Sequence, residues 1–197
     1  MNKDTIGTLI LSGGLGSRMN YQNKGLTLLQ GEPLIAHVLA KVKPYSTYIA
    51  ISANQDINQY QQFGFPIFSD DLTWAKQGPL AGIQSSIKHF PDELKTIVVV
   101  PCDTPFLPEN LIPKLHQALY TQDETCFAYA KTEQMIHPSI FLFKKSVYNS
   151  LYDHLCSGQR SLKSWLHSKP YTAVFFENEA EFMNINHNKT LAQLNNE

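Results

Sequence analysis

The sequence is poor in cysteine, with three residues in 197, and it contains no long uninterrupted apolar run. Cys102, Cys126 and Cys156 are odd in number and widely spaced, which argues against a disulfide framework and against a zinc site. So little cysteine is typical of a protein from a reducing compartment. No stretch approaches the ~20 apolar residues of a membrane span, and no signal-peptide pattern is present. We therefore expect a cytoplasmic protein without a membrane partner.

A strong charge of either sign is missing as well, because the formal net charge is −1. Without a basic excess, a nucleic-acid partner is not expected, and any anion-binding site must be local. The length and the 43% content of hydrophobic residues predict one domain over residues 1–197, and no linker or internal repeat divides the chain.

Apolar runs alternate with helical patterns along the chain. Predicted strands cover residues 5–11, 48–52, 66–68, 96–101, 126–130, 139–143 and 171–176. Predicted helices cover residues 33–40, 80–89, 109–120, 145–155, 161–167 and 190–194, with a further polar helix after residue 56. This alternation predicts an α/β fold with a parallel, doubly wound sheet, which binds ligands beyond the carboxyl ends of its strands.

The segment LSGGLGSRMNYQNKG, residues 11–25, follows the first predicted strand and combines four glycines with two cations. Glycines there let backbone N–H groups face an anion with no Cβ in the way. Arg18 can bind phosphate oxygens with its guanidinium, and Lys24 can act as a point charge. The segment therefore predicts a triphosphate site, with a glycine-rich turn and solvated charges as the plainer alternative.

Two common phosphate motifs do not fit this segment. The dinucleotide fingerprint requires a third glycine where Met19 stands, and an acidic residue after the second strand, where the chain has Asn54. The P-loop requires Gly-Lys-Ser/Thr, whereas the order here is Asn23-Lys24-Gly25. Both motifs are rejected.

Asp103 follows the predicted strand at 96–101, which is apolar on both faces as in a central parallel strand. Its carboxylate could hold Mg²⁺, which proteins bind through one or two carboxylates and substrate phosphates. A turn cap before Pro105 is the alternative, and we expect the neighbouring Cys102 to be a packing residue. Asn54 and Asp70 are predicted at the same edge of the sheet.

Three further motifs are ambiguous on their own. GPLAG at 78–82 opens a helix whose N–H groups suit an anion or a base edge, although a tight helix start explains it equally well. His137-Pro138 precedes a predicted strand, and the pair Asn184 and Asn186 precedes a predicted helix. Each of these is more often a turn or N-cap device than a ligand contact.

Taken in order, these motifs resemble a family. The segment at 11–25, GPLAG at 78–82, PCDTPF at 101–106, HPSI at 137–140 and FMNIN at 182–186 are similar to the nucleotidyltransferases that activate sugars, isoprenoid precursors and pterins. The ordered set most resembles the molybdenum cofactor guanylyltransferases of the MobA type, over nearly the whole chain. The resemblance implies a Rossmann-like three-layer α/β/α fold with a mostly parallel central sheet. It also implies a Mg²⁺-dependent transfer of GMP from GTP to molybdopterin.

The resemblance further implies which residues form the site. Those implied to bind GTP are Leu11, Ser12, Gly13, Gly14, Gly16, Lys24, Asn54, Asp70, Gly78 and Asp103. Those implied to be catalytic are Arg18, Lys24 and Asp103, with Asp103 as the Mg²⁺ ligand. Those implied to face the pterin are His137, Pro138, Asn184 and Asn186. Proteins that supply molybdopterin and apo-molybdoenzymes are the implied partners besides the two substrates.

The chain departs from the family pattern at Ser12, where alanine is usual, at Asn20, where glycine is usual, and at Asn23, where aspartate is usual. The usual Thr-Pro-Glu after the last motif is His187-Asn188-Lys189. Three alternatives stay open: cytidylyl transfer to molybdopterin, nucleotidyl transfer to a sugar or polyol phosphate, and a non-catalytic nucleotide sensor or cofactor-delivery protein.

Overall fold

The computed structural model describes residues 5–12, 23–75, 77–185, 191 and 194. Nine strands occur in these residues. In chain order they are β1 Ile6–Leu11, β2 Leu28–Leu29, β3 Glu32–Pro33, β4 Tyr48–Ser52, β5 Ile67–Phe68, β6 Thr96–Pro101, β7 Phe127–Lys131, β8 Ile136–Lys144 and β9 Tyr171–Phe175. Seven of them form one sheet in the order β5-β4-β1-β6-β8-β7-β9, while β2 and β3 pair separately.

The direction of the strands confirms the predicted, mostly parallel sheet. β1 is parallel to β4 and β6, β4 is parallel to β5, and β7 is parallel to β9. Only β8 is reversed, and it pairs antiparallel with both β6 and β7. β8 is therefore the strand that makes the sheet mostly, and not wholly, parallel. The physical reason is that residues 132–135 between β7 and β8 form a hairpin, which is too short for a crossover between parallel strands.

Helices cover both faces of the sheet, which confirms the predicted three-layer α/β/α architecture. The helices are α1 Leu34–Val42, α2 Ile57–Gln61, α3 Pro79–Ile87, α4 Leu111–Leu119, α5 Asn149–Cys156 and α6 Leu162–Leu166. α1, α2 and α4 contribute to one large hydrophobic cluster, and α3, α5 and α6 contribute to a second one. The predicted closing helix at 190–194 lies largely outside the described residues.

β6 shows why the core has two halves. Along this strand, successive side chains point to opposite faces of the sheet. Val98 and Val100 pack in the cluster of α1, α2 and α4, whereas Ile97 and Val99 pack in the cluster of α3, α5 and α6. All four side chains are fully buried. An uninterrupted apolar run is what a strand covered on both faces requires.

Six of the seven strands in the sheet end at the same edge. The residues that follow β1, β4, β5 and β6 must therefore lie beside one another, and the amino end of the reversed β8 joins them there. The part of the chain that the structure describes has no helix with both the length and the apolar character needed to cross a bilayer. The assignment of residues 1–197 to a single domain stays a prediction.

Trp165 provides a test of the second hydrophobic cluster. Its ring is fully buried and lies edge-on to Phe127 and Phe143, with centroids 4.9 and 5.4 Å away. The indole Nε1 donates a hydrogen bond to Ser150 Oγ at 3.1 Å. We expect Trp165→Ala to lower the free energy of unfolding by about 3–5 kcal/mol, because it leaves a cavity among these rings. Urea denaturation followed by far-ultraviolet circular dichroism measures the loss.

Leu72→Ala is the matched control, since Leu72 is 97% exposed and packs against almost nothing. This variant should unfold at nearly the wild-type urea concentration. Similar losses in the two variants would show that Trp165 is not a core residue.

Candidate active site

The backbone continues to pair just beyond the strand ends. Ser12 N donates to Ser52 O at 2.7 Å, and Cys102 N donates to Leu11 O at 3.0 Å. Ala53 N donates to Phe68 O at 2.9 Å. The loops that follow β1, β4, β5 and β6 are therefore fixed relative to one another for their first residue or two. This brings Leu11 and Ser12, both predicted to contact the nucleotide, to the shared edge.

Asn54 and Asp70 lie together, as predicted. The Oδ1 atom of Asn54 accepts a hydrogen bond from the backbone N–H of Asp70 at 2.8 Å, which joins the loops after β4 and β5. The first turns of α3 approach the same place. A Cβ at Gly82 would lie 2.6 Å from Ser52 Oγ and 3.5 Å from Asp70 Oδ1, so only glycine allows this close approach.

Gly78 stands immediately before α3 with φ 87° and ψ −170°, a conformation that strongly favours glycine. Pro79 occupies the first helical position, where its fixed φ suits the start of a helix. The local backbone thus accounts for the Gly-Pro pair. A contact between Gly78 and GTP stays a prediction.

Lys24 and Asp103 form an ion pair, with Lys24 Nζ 3.2 Å from Asp103 Oδ2. The lysine begins a 3₁₀ turn at Lys24–Leu26, and the aspartate follows β6. Their side chains are 25% and 9% exposed, so the pair is largely shielded from water. Two of the three predicted catalytic residues are therefore in contact. The third, Arg18, lies outside the described residues, as do Gly13, Gly14 and Gly16.

The carboxylate of Asp103 is the kind of ligand that Mg²⁺ takes in proteins, and binding of the ion there stays a prediction. Its hydrogen bond to Lys24 uses Oδ2, and Oδ1 makes no hydrogen bond with the described residues. Over the same residues, no three His, Cys, Asp or Glu side chains cluster in a way that could enclose a metal. Mg²⁺ is commonly held by one or two carboxylates, with substrate phosphates and water as its other ligands, and a single acidic side chain suits that arrangement.

Cys102 packs beside this pair. Burial, and then the negative charge of Asp103, raise the pKa of the Cys102 thiol to about 12. The thiol therefore stays protonated near neutral pH and is a poor nucleophile. This agrees with the expectation that Cys102 is a packing residue.

His137, near the amino end of β8, and Asn184, bonded to Thr104, also lie at the edge of the sheet where Asp103 is found. The His137 ring stacks on Phe182, with centroids 4.7 Å apart, and its Nε2 lies 3.2 Å from Thr132 Oγ1. Two residues after Phe182, Asn184 Oδ1 accepts a hydrogen bond from Thr104 Oγ1 at 3.0 Å. The segment 182–185 therefore spans from β8 to the loop after β6. Asn186 lies outside the described residues.

Pro138 belongs to a bulge in β8. His137 pairs with Ala130 and Phe141 pairs with Tyr129, so residues 138–140 have no partners in β7. Proline has no N–H to donate to a neighbouring strand, which makes it suited to such a bulge. Because Phe141 also pairs with Val99 of β6, the bulge lies close to the carboxyl end of β6.

The sequence did not predict a second polar cluster, which is formed by Asn23, Asp56 and Tyr60 next to Lys24. The Tyr60 hydroxyl donates to Asn23 Oδ1 at 2.5 Å, and Asn23 Nδ2 donates to Asp56 Oδ2 at 3.1 Å. Tyr60 lies 37 positions from Asn23, in a helix whose sequence, INQYQ, looks solvent-exposed. The only available signal was the unusual asparagine at position 23.

Comparison with known proteins agrees with this geometry. The sequence pattern of the family described as "MobA-like NTP transferase domain" matches residues 8–173. The chain belongs to this family. A molybdenum cofactor guanylyltransferase of Haemophilus influenzae is 38% identical over 183 residues, which are 92% of this chain and 93% of the relative. One of Cupriavidus metallidurans is 34% identical over 190 residues, which are 94% and 92% of the two chains. The resemblance found in the sequence is confirmed.

Solved structures share the fold. A protein described as molybdopterin-guanine dinucleotide biosynthesis protein A, from Archaeoglobus fulgidus, superposes with a TM-score of 0.72 at 22% identity, covering 96% of this chain and 97% of its own. The 4-diphosphocytidyl-2C-methyl-D-erythritol synthase of Anaerococcus prevotii gives a TM-score of 0.76 at 13% identity, covering 99% and 96%. The predicted Rossmann-like nucleotidyltransferase fold is thus confirmed.

The surroundings of His137 predict how stability depends on pH. Burial lowers the pKa of His137 below its ordinary value, and the nearby Glu179 carboxylate opposes this only in part. Below about pH 6.5 the unfolded chain therefore binds a proton at this side chain more readily than the folded chain does. The folded protein should lose stability as the pH falls from about 7.5 to about 5.5.

His137→Gln removes this titration and keeps a polar side chain beside Thr132. We expect a smaller loss of unfolding free energy across the same pH range in this variant than in the wild type. Urea denaturation at the two pH values measures both losses. Equal losses would mean that His137 binds its proton alike in the folded and unfolded chains.

Proposed function

We propose that this chain transfers GMP from GTP to the terminal phosphate of molybdopterin, forming molybdopterin guanine dinucleotide and pyrophosphate. The observation that carries the proposal is the shielded pair of Lys24 and Asp103 at the edge of the sheet where β1, β4, β5 and β6 end. Membership of the MobA-like family and two relatives named molybdenum cofactor guanylyltransferase support the choice of substrates.

The reaction is a displacement at phosphorus. An oxygen of the molybdopterin phosphate forms a bond to the α-phosphorus of GTP, the bond from that phosphorus to the bridging oxygen breaks, and pyrophosphate leaves with the electron pair. The second ionisation of a phosphate monoester lies near pH 6, so the attacking oxygen carries its charge at neutral pH. The protein therefore needs no general base, and Cys102 is not required as a nucleophile.

The task of the site is to bring two polyanions together. Two unit charges about 4 Å apart interact by about 4 kcal/mol at an effective dielectric constant near 20. Lys24 can turn its ammonium from Asp103 towards the incoming phosphates, and we assign Arg18 to the same phosphates. When bound by Asp103, Mg²⁺ supplies further positive charge for the triphosphate. Asn54 and Asp70, joined across two loops, hold the nucleoside end.

Removing one cation from this site should slow the reaction without unfolding the protein. We expect Lys24→Ala and Arg18→Ala each to lower turnover by roughly 10²–10³-fold, the usual cost of losing one oriented group that stabilises charge in the transition state. Pyrophosphate release from GTP, Mg²⁺ and purified molybdopterin measures the rate.

Lys145→Ala is the control for these variants. Lys145 pairs with Asp92 Oδ1 at 3.4 Å beside the amino end of β6, at the opposite edge of the sheet. It should keep close to wild-type turnover. Wild-type turnover in Lys24→Ala or in Arg18→Ala would remove that residue from the mechanism, and no pyrophosphate release by the wild type would favour a non-catalytic sensor.

Asp103→Asn tests the metal site, since an amide is a much weaker ligand for Mg²⁺ than a carboxylate. In this variant the residual rate should no longer rise when Mg²⁺ is added, whereas the wild-type rate should rise strongly. A steep rise in both proteins would place the metal on other groups.

Nucleotide selectivity distinguishes the remaining alternatives. Each of the four nucleoside triphosphates, titrated with Mg²⁺, should bind, and GTP should bind most tightly. Calorimetry measures the four dissociation constants. Preferential binding of CTP would contradict the guanylyl transfer and favour a cytidylyl transfer.

A further inference from the structure

We propose that Tyr60 is a positioning residue for Lys24, through the hydrogen bond from its buried hydroxyl to Asn23. The inference rests on the proposed function, in which Lys24 binds the phosphates of GTP. Tyr60 acts through Asn23 and Gly25, the two neighbours of Lys24 in the chain. Its role is to fix the backbone from which the lysine side chain extends.

The hydroxyl of Tyr60 is a buried hydrogen-bond donor to the side chain of Asn23. The side chain is fully buried within the cluster of α1, α2 and α4, where its ring lies against Phe63. Its oxygen lies 2.5 Å from Asn23 Oδ1. Burial raises the pKa of the Tyr60 phenol far above neutral, so the hydroxyl keeps its proton and donates it to this amide oxygen.

Asn23 is held at both ends of its amide group. Besides accepting from Tyr60, it donates from Nδ2 to Asp56 Oδ2 at 3.1 Å. Its backbone carbonyl accepts from Leu26 N at 3.1 Å and thereby closes the 3₁₀ turn that begins at Lys24. The position of the Asn23 side chain therefore sets the start of that turn.

The same hydroxyl also lies against the residue on the other side of Lys24. A Cβ at Gly25 would come within 2.5 Å of the Tyr60 oxygen and within 3.2 Å of the Cys102 Cβ and Sγ atoms. The backbone at Gly25 therefore packs closely against both Tyr60 and Cys102. Because Cys102 is bonded to Asp103, this close packing limits how far apart the loops that carry Lys24 and Asp103 can lie.

This arrangement matters because a flexible lysine side chain does not by itself fix the position of its ammonium group. Its ammonium is a compact charge on a flexible four-carbon chain, unlike the planar guanidinium of arginine. The region that Nζ can reach is therefore set by the backbone at position 24. A displacement of about 1 Å in a catalytic group can cost as much as 10²-fold in rate.

The first test removes only the oxygen. Tyr60→Phe keeps the buried ring, and we expect it to lower kcat/KM for GTP roughly tenfold, less than the loss caused by Lys24→Ala. Tyr148→Phe is the matched control, because the Tyr148 hydroxyl also donates one short bond to a carbonyl, Gln84 O at 2.6 Å. This control should keep the wild-type rate. No loss in Tyr60→Phe, or an equal loss in Tyr148→Phe, overturns the proposal.

The second test asks whether Tyr60 acts through Lys24. In the Lys24→Ala background, Tyr60→Phe should change kcat/KM less than about twofold, because no ammonium is left to position. A merely structural role for Tyr60 would give the same tenfold loss in both backgrounds, and that result overturns the proposal.

The third test approaches the contact from Gly25. Gly25→Ala places a methyl group against the Tyr60 oxygen and should lower the rate. The double variant Gly25→Ala with Tyr60→Phe removes that oxygen and should be no slower than Gly25→Ala alone. A double variant slowed by the product of the two single losses would overturn the proposal.

Binding of GTP with Mg²⁺, measured by calorimetry, separates this proposal from the proposed function. Tyr60→Phe should weaken binding in the wild-type background and leave it unchanged in the Lys24→Ala background. If the wild type binds GTP but releases no pyrophosphate with molybdopterin, the proposed function fails. The GTP affinities of the wild type, the two single variants and the double variant still decide the role of Tyr60.

Discussion

β6 is covered on both faces and hydrogen-bonded to strands on both sides, and the site is built from its carboxyl end. Its apolar side chains fill the two hydrophobic clusters, while its backbone pairs with β1 and with the reversed β8. Asp103 follows two residues after the strand and is almost entirely shielded from water. A carboxylate in such a place is costly unless a partner compensates for its lost hydration, and Lys24 is that partner. The strand thus fixes the position of a charge, and this charge determines where the segment that carries the lysine must approach.

The sequence predicted most of this frame, because its signals are local. The run TIVVVP identifies a strand buried on both faces, and the alternation of strands and helices predicts which edge collects the loops. Asn54, Asp70 and Asp103 were correctly expected there, since position relative to a strand end is visible in the sequence. Asn54 and Asp70 lie together for this reason alone.

Contacts between distant side chains were not predictable in the same way. The reversal of β8 depends on four residues that close a hairpin, and the separately predicted strands at 126–130 and 139–143 gave no indication of their pairing. The stacking of His137 on Phe182 and the bond from Tyr60 to Asn23 join segments more than 35 positions apart. No periodicity marks such pairs, because they arise only after the sheet has brought the segments together.

The contacts of the segment 182–185 have a consequence for how the chain is made. Asn184 bonds Thr104 across 80 positions, and Ile185 N donates to the carbonyl oxygen of Asp103 at 2.8 Å. A ribosome adding ~5–20 residues per second completes β1, β4 and β6 several seconds before it reaches these residues. During translation the nascent chain therefore contains Asp103 before it contains Ile185, whose N–H later bonds the Asp103 carbonyl. The candidate active site can be completed only after nearly all of the described chain has been synthesised.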